Sequence, residues 1–272
     1  KLLNLGVTKA FKGRWGAKQY TSREGVVQDL NILSFNSALS HKRKLNLPMD
    51  SSAKIVKPRL LHGSQWGYID PVDTPDGGNV GFHKHLAIST KITTTIPQKN
   101  LIKWLKNVGS MKLLMEISLD SILNNTKIFV NGYWVGIHNS PIELKKIFLY
   151  YRRIGCIPIM ISISWSYPDN IIYFYTDAGR LIRPVFYIED EERICSLEYY
   201  NETYNSLSDL LYGSTKRKKQ INDTTFYNYE DLYNKNENKS IIEYIDVSET
   251  SYSLIAMRQE DFKETIHTHR EI

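Results

Sequence analysis

Between Pro71 and Gly78 the chain reads Pro-Val-Asp-Thr-Pro-Asp-Gly-Gly, two prolines and two glycines in eight residues, and no other stretch limits its possible folds so strongly. Each proline removes a backbone donor and fixes φ, and each glycine opens the left-handed region, so neither a helix nor a central strand can run through. The segment has to be a stiff, repeatedly turning loop, and with its neighbour it carries Asp70, Asp73 and Asp76. The elements on either side are therefore separate and meet only through tertiary packing.

Cations dominate the approach to this loop. Residues 36–44 show a short helical pattern ending in His41, Lys42, Arg43 and Lys44, and Pro48 stops it because its ring clashes with the preceding turn. A small polar loop, Asp50 to Ala53, comes next. Lys54, Lys57 and Arg59 then stand at near-alternate positions. In an extended segment, which Pro58 favours, Lys57 and Arg59 project to one side and the three cations face one surface. Taken singly, each piece has an ordinary reading: a basic helix end suits the macrodipole, and a Pro- and Gly-rich loop is a surface turn. Gly77 to Lys84 lacks the GxxxxGK[ST] spacing of a phosphate-binding loop, so a turn before a strand is the better reading.

The order of the pieces is more specific than any of them. Ser22-Arg-Glu-Gly-Val-Val-Gln-Asp-Leu-Asn31, then Leu39-Ser-His-Lys-Arg-Lys44, then Lys57-Pro-Arg-Leu-Leu-His-Gly-Ser-Gln-Trp-Gly67, the Pro71 loop and Gly81-Phe-His-Lys84 follow one another. This succession closely resembles the second-largest subunit of the multisubunit DNA-directed RNA polymerases. The resemblance continues through residues 129–144, 173–192, 241–246 and 254–257 and covers nearly the whole chain. Asp73 and Asp76 stand where the family usually has Glu, Gln65 replaces a common His, and Asp50 to Ala53 replaces a Gly-rich loop. With these departures the chain looks most similar to the polymerases of large DNA viruses.

The resemblance implies an α+β fold: a mainly helical basic fork lobe over residues 1–95 (the family's domain 3, with two fork loops), followed by a mixed α/β external lobe. That lobe would comprise residues 96–190 (domain 4) and 191–272 (domain 5), ending at the border of the hybrid-binding domain. It implies part of a DNA-directed RNA polymerase, a nucleotidyltransferase, that shapes the active-centre cleft and the downstream fork. No catalytic residue is assigned to this chain, and isolated it is expected to be inactive. Lys54, Lys57 and Arg59 would lie near downstream DNA and the incoming nucleoside triphosphate, with Asp73 beside them. His41, Arg43 and Lys44 would lie close to the cleft, and Arg14 and Trp15 in the first fork loop, where Trp15 is equally a packing anchor. Mg²⁺ of the assembled enzyme would be held mainly by the largest subunit and not by this chain alone. The implied partners are the largest and other polymerase subunits, the DNA template, the RNA–DNA hybrid and nucleoside triphosphates. The competing readings are a non-catalytic nucleic-acid-binding module and an assembly module.

Charge and composition fit this expectation. Residues 1–110 hold 17 Lys/Arg against 6 Asp/Glu, whereas residues 111–272 hold 18 against 23, so the field that attracts phosphate belongs to the first part. With 272 residues and 42% hydrophobic content the chain can build two or so cores, and no apolar run approaches the roughly 20 residues a membrane helix needs. Cys156 and Cys195 form no CxxC pair, and His83/His85 and His267/His269 have no Cys nearby, so neither a zinc site nor a disulfide framework is expected. The expected setting is intracellular and reducing: a nucleus, or a cytoplasmic viral factory or virion. The absence of an initiator Met and of a signal pattern suggests an internal part of a longer subunit.

Local signals place the remaining elements. Leu2, Leu3, Leu5 and Val7 predict a helix end, and Val26, Val27, Leu30 and Leu33 a helix with core-facing residues after Ser22. Residues 86–93 alternate as a strand, and residues 97–107 read as a helix. Asn131-Gly132 supplies the two positive-φ positions of a type I′ hairpin turn within 127–138. Ser140, Pro141 and Glu143 predict a capped helix start, with Leu144, Ile147, Phe148, Tyr151 and Ile154 on the buried face and Lys145, Lys146, Arg152 and Arg153 on the solvated one. Strands are expected at 157–165, 170–176, 181–189, 241–246 and 252–257, a short helical turn at 259–264, and a flexible loop around Lys216 to Lys219.

Overall fold

The structure is a computed structural model that describes residues 1–11, 29–47, 49, 54–118, 122–123, 125–189, 192–193 and 239–256. It is a mixed α/β chain that divides into two compact units. The first comprises Lys1–Leu61 and Asp70–Leu86, the second His62–Ile69 and Ala87–Ile272. Arg14, Trp15, Pro48, Asp50 to Ala53, Lys216 to Lys219, residues 259–264, His267, His269 and Cys195 lie outside the described residues.

In the first unit, helix α1 spans Leu2–Phe11 and helix α2 spans Phe35–Lys42. Ser34 caps α2 by accepting the Ser37 N–H at 3.1 Å, and the helix ends at Arg43, whose N–H reaches back to Leu39 O and Ser40 O. Strand β1 (Lys44–Asn46) then pairs antiparallel with β2 (His83–His85), opposing Lys44 to His85 and Asn46 to His83. Two expectations fail here. Residues 29–34 are not helical, and Leu30 and Leu33 are exposed, Leu33 at 90%, so neither is core; Ser22, Val26 and Val27 of the same expected helix lie outside the described residues. Lys57–Arg59 is not extended but a 3₁₀ turn with Pro58 in its first turn, where the missing N–H costs nothing. At three residues per turn, Lys57 and Arg59 do not share a side.

The second unit holds the main core. Strands β4 (Lys112–Leu113), β5 (Thr126–Val130), β6 (Tyr133–His138), β7 (Ser162–Ser166) and β8 (Ile171–Tyr175) form a sheet in the order β4-β6-β5-β8-β7. The β5–β6 hairpin turns at Asn131 (φ 49°) and Gly132 (φ 83°), as their left-handed preference dictates. Helices α3 (Gln98–Asn107) and α4 (Pro141–Arg153) supply Leu101, Trp104, Leu105, Leu144, Phe148 and Tyr151 to a core closed by Ile128, Val130, Ile163, Ile172 and Phe174 of the sheet. Rings meet edge to face, Phe148 and Phe174 at 5.1 Å between centroids. Ser140 is the N-cap residue of α4, but its side chain makes no capping bond; its N–H instead donates to Nδ1 of buried His138 at 2.9 Å.

A second sheet orders β3 (Lys91–Ile92) beside β9 (Leu181–Phe186) and then β12 (Ile242–Asp246). The strand expected over 86–93 is only Lys91–Ile92, because Ala87–Thr90 closes a turn first. A short hairpin pairs β10 (Ile188–Glu189) with β11 (Glu192–Arg193). Residues 252–256 carry no strand; β12 runs instead into helix α5 (Val247–Ser251), capped by the Asp246 carboxylate on the Glu249 N–H at 2.7 Å.

The cations Arg152 and Arg153 of α4 are not solvated. Arg152 is 2% exposed and grips Glu249 through Nη1 and Nη2 at 2.9 and 2.7 Å, while Arg153 pairs with Glu243 and stacks over Tyr187. Arg180, at the turn before β9, donates to the Asp246 carboxylate, the Ser162 hydroxyl and the Met160 and Tyr175 carbonyls. These arginines bind β12 and α5 to the rest of the unit.

Candidate nucleic-acid interface

Of the residues expected to meet nucleic acid, His41, Arg43, Lys44, Lys54, Lys57, Arg59 and Asp73 are described, and all fall in the first unit. Residues that belong to α2, β1 and β2 line an open cleft of about 480 Å³ there, bounded also by Asn31: Asn36, Ser37, Ser40, His41, Lys44 and His85. His41 sits at the C-terminal end of α2 with Nδ1 accepting the Asn31 N–H at 3.1 Å, so in its neutral form the ring carries its proton on Nε2. Lys44 follows on β1, directly opposite His85. Among the described residues, no acidic side chain lines the cleft.

The rigid loop behaves as its composition requires. Asp70 Oδ1 accepts the N–H of Val72 at 2.9 Å and of Asp73 at 3.3 Å, a side-chain turn that starts the loop. Thr74 Oγ1 donates to His83 O and accepts from Gly81 N–H, both at 2.9 Å, and so fastens the middle of the loop to β2. Gly77 (φ 80°) and Gly81 (φ 75°) take left-handed conformations; a Cβ on Gly81 would collide with the backbone of Arg59.

Arg59 reaches across this close approach. Its Nη1 donates to Gly78 O and Val80 O, each at 2.7 Å, and the guanidinium lies 3.9 Å from the Phe82 ring centroid. Lys84 is buried and donates to Leu60 O at 3.0 Å. These two cations are committed to the fold of the loop. Lys54 and Lys57 are exposed, and among the described residues neither forms an ion pair. Asp73, 52% exposed, has Oδ2 3.2 Å from Nδ1 of His85. His83, on the same side of β2, meets Asn46 Oδ1 at 2.7 Å, and burial, then the positive Lys44 and neighbouring His85, push its imidazole below the ordinary value.

The sequence pointed to the loop and its cations and set Arg59, beside the proline, closer to the rigid core than Lys54 and Lys57; it did not single out Lys84, which bonds a main-chain carbonyl as Arg59 does. The engagement of His85 was hinted at only by the His83/His85 alternation. Among the described residues, no group of three or more His, Cys, Asp or Glu is arranged to hold a metal ion, and no helix is long and apolar enough to cross a membrane.

Comparison with known proteins covers most of the chain. Residues 28–92 match the family model described as RNA polymerase Rpb2, domain 3, residues 128–189 match domain 4, and residues 229–272 match domain 5. The DNA-directed RNA polymerase II subunit RPB2 of Meyerozyma guilliermondii is 32% identical over 257 residues, covering 92% of this chain and 20% of that protein. The RNA polymerase II subunit 2 of Arabidopsis thaliana is 33% identical over 250 residues (92% and 19%), and the RNA polymerase III subunit RPC2 of Drosophila melanogaster 31% over 277 residues (99% and 22%). The chain thus spans about a fifth of the length of the curated relatives it matches.

Proposed function

Because the chain belongs to the second-subunit family of DNA-directed RNA polymerases, we propose that it forms the fork region and external lobe of such an enzyme, its first unit bordering nucleic acid and incoming nucleotide during templated RNA synthesis. The observation that carries this reading is the division of labour among the cations: Arg59 and Lys84 hold the Pro71 loop in shape, while Lys54 and Lys57 on the approach to it stand exposed, with no acidic partner among the described residues. Exposed lysines of this kind neutralise phosphates without reading sequence, as a polymerase that must move along any template requires.

On this reading Lys54 and Lys57 steer downstream DNA, His41 and Lys44 line the neighbouring cleft wall with Arg43 between them in the chain, Asp73 presents a carboxylate beside them, and Arg14 and Trp15 belong to the first fork loop. Residues 1–95 are the basic fork lobe, 96–190 and 191–272 the two parts of the external lobe. Mg²⁺ chemistry belongs to the assembled enzyme. The chain supplies position and field, and the metal's ligands come mainly from the largest subunit. Partners are that subunit, other polymerase subunits, template DNA and the RNA–DNA hybrid; the working compartment is a nucleus or a viral factory.

A photo-crosslinker replacing Lys57 in the reconstituted polymerase tests the reading. Capture of downstream template or non-template DNA is expected; capture of protein alone would overturn it in favour of an assembly role.

A further inference from the structure

His85 lines the cleft and faces Asp73. Its Nδ1 lies 3.1 Å from the main-chain O of Asp73 and 3.2 Å from Oδ2 of the same residue. Both are acceptors, so Nδ1 carries the proton and shares it between the backbone and the carboxylate of one residue. The two partners differ in what holds them. The imidazole is only 13% exposed and stands on β2, paired through the strand to Lys44, whereas the Asp73 carboxylate is 52% exposed at a loop. Burial fixes the ring, and among the described residues it is the ring that holds the acid. Asp70 holds the Asp73 backbone from the other side through its own carboxylate.

From this we infer that His85 is a positioning residue for Asp73, setting a single orientation of the carboxylate at the edge of the cleft toward the nucleotide that the polymerase reading brings there, and the inference rests on that reading. An exposed aspartate otherwise samples several rotamers, and each one that points elsewhere lowers the fraction of enzyme ready to engage its ligand.

The test uses the assembled polymerase with single-nucleotide incorporation kinetics on a fixed template. Asp73→Ala should change KM for the nucleotide or kcat by roughly 5- to 30-fold, the range of one or two kcal/mol. His85→Gln should reproduce the same parameter change, because its amide places the donor one methylene too far. His85→Asn, whose amide nitrogen occupies the place of Nδ1, should restore the wild-type value to within about twofold, and Asp73→Ala with His85→Gln should be no worse than Asp73→Ala alone. A structural role for His85 would not separate Asn from Gln in this way, and assembly yield and thermal midpoint, measured for each variant, report any loss of folding. If Asn and Gln behave alike, or if His85→Gln keeps wild-type kinetics while Asp73→Ala does not, the positioning role is overturned and the polymerase reading stands. If Asp73→Ala itself keeps wild-type KM and kcat, the reading of this loop fails and the inference goes with it.

Discussion

Replacing Arg152 by alanine should be among the most damaging single changes in the second unit. The guanidinium is 2% exposed, forms two bonds of 2.7 and 2.9 Å to Glu249, itself 5% exposed, and lies 3.6 Å from Glu243. Burial pushes the Glu249 carboxyl up and the facing Arg152 charge pulls it back. Removing the arginine strands the buried Glu249 carboxylate, while Glu243 keeps Arg153, a loss of about 3–5 kcal/mol. In a unit of this size each kcal/mol moves the thermal midpoint by about 2–4 °C, so the expected fall is about 6–20 °C. Nε of Arg152 has no hydrogen-bond partner among the described residues, which lowers the net value of the pair without rescuing the single mutant. Replacing both Arg152 and Glu249 by leucine should cost less than the two single changes summed, since the stranded charge disappears with its partner. Differential scanning calorimetry of wild type, Arg152→Leu, Glu249→Leu and the double variant measures the cycle, with Arg152→Ala scanned beside them. A midpoint for Arg152→Ala within 2 °C of wild type, on the order of one kcal/mol or less, would refute the reasoning.

Three other outcomes are expected. Burial holds the His138 imidazole below its ordinary value of 6.5, so the unfolded chain takes up the proton first as pH falls. Stability is therefore complete above about pH 6.5 and declines as pH drops toward the folded pKa; His138→Asn, which keeps an acceptor for the Ser140 N–H, should flatten that part of a midpoint-against-pH curve. Gly81→Ala should lower the midpoint of the first unit and expose the Pro71 loop to proteolysis, because φ of 75° and the Arg59 backbone both exclude a Cβ; an unchanged cleavage pattern would contradict this. The isolated chain should incorporate no nucleotide with Mg²⁺ or Mn²⁺, and robust incorporation by the purified chain would contradict the assignment of chemistry to the assembled enzyme.

What the sequence disclosed was local. Asn131-Gly132 demanded a hairpin because two successive positive-φ residues leave little else, and Pro141 after Ser140 marked a helix start because the first turn needs no proline N–H. The same helix shows where such reading stops. Arg152 and Arg153 lie outside the apolar stripe and read as wet, yet their acids Glu249 and Glu243 stand 97 and 90 residues further along. No periodicity carries that information. Arg59 is the same case on a smaller scale, its carbonyl partners 19 and 21 residues away. Pro58 favours an extended residue before it, yet the chain turns at Lys57–Arg59, and the close packing of Arg59 against Gly81 and Phe82 goes with the turn. Leu30 and Leu33 keep helical spacing yet are exposed, so spacing alone did not make them core.

The division between cations that shape the loop and cations that face nucleic acid is most directly tested by Lys57→Glu in the reconstituted polymerase, with assembly checked by gel filtration and elongation and DNA affinity followed across salt concentrations. Lys57 is exposed and pairs with no acid among the described residues, so assembly and thermal midpoint should hold, to within about 0.5 kcal/mol. Elongation should slow, and the slope of log affinity against log salt should fall by about 0.9 for each duplex phosphate that the variant no longer neutralises. Normal assembly with wild-type elongation and an unchanged salt slope would contradict the account.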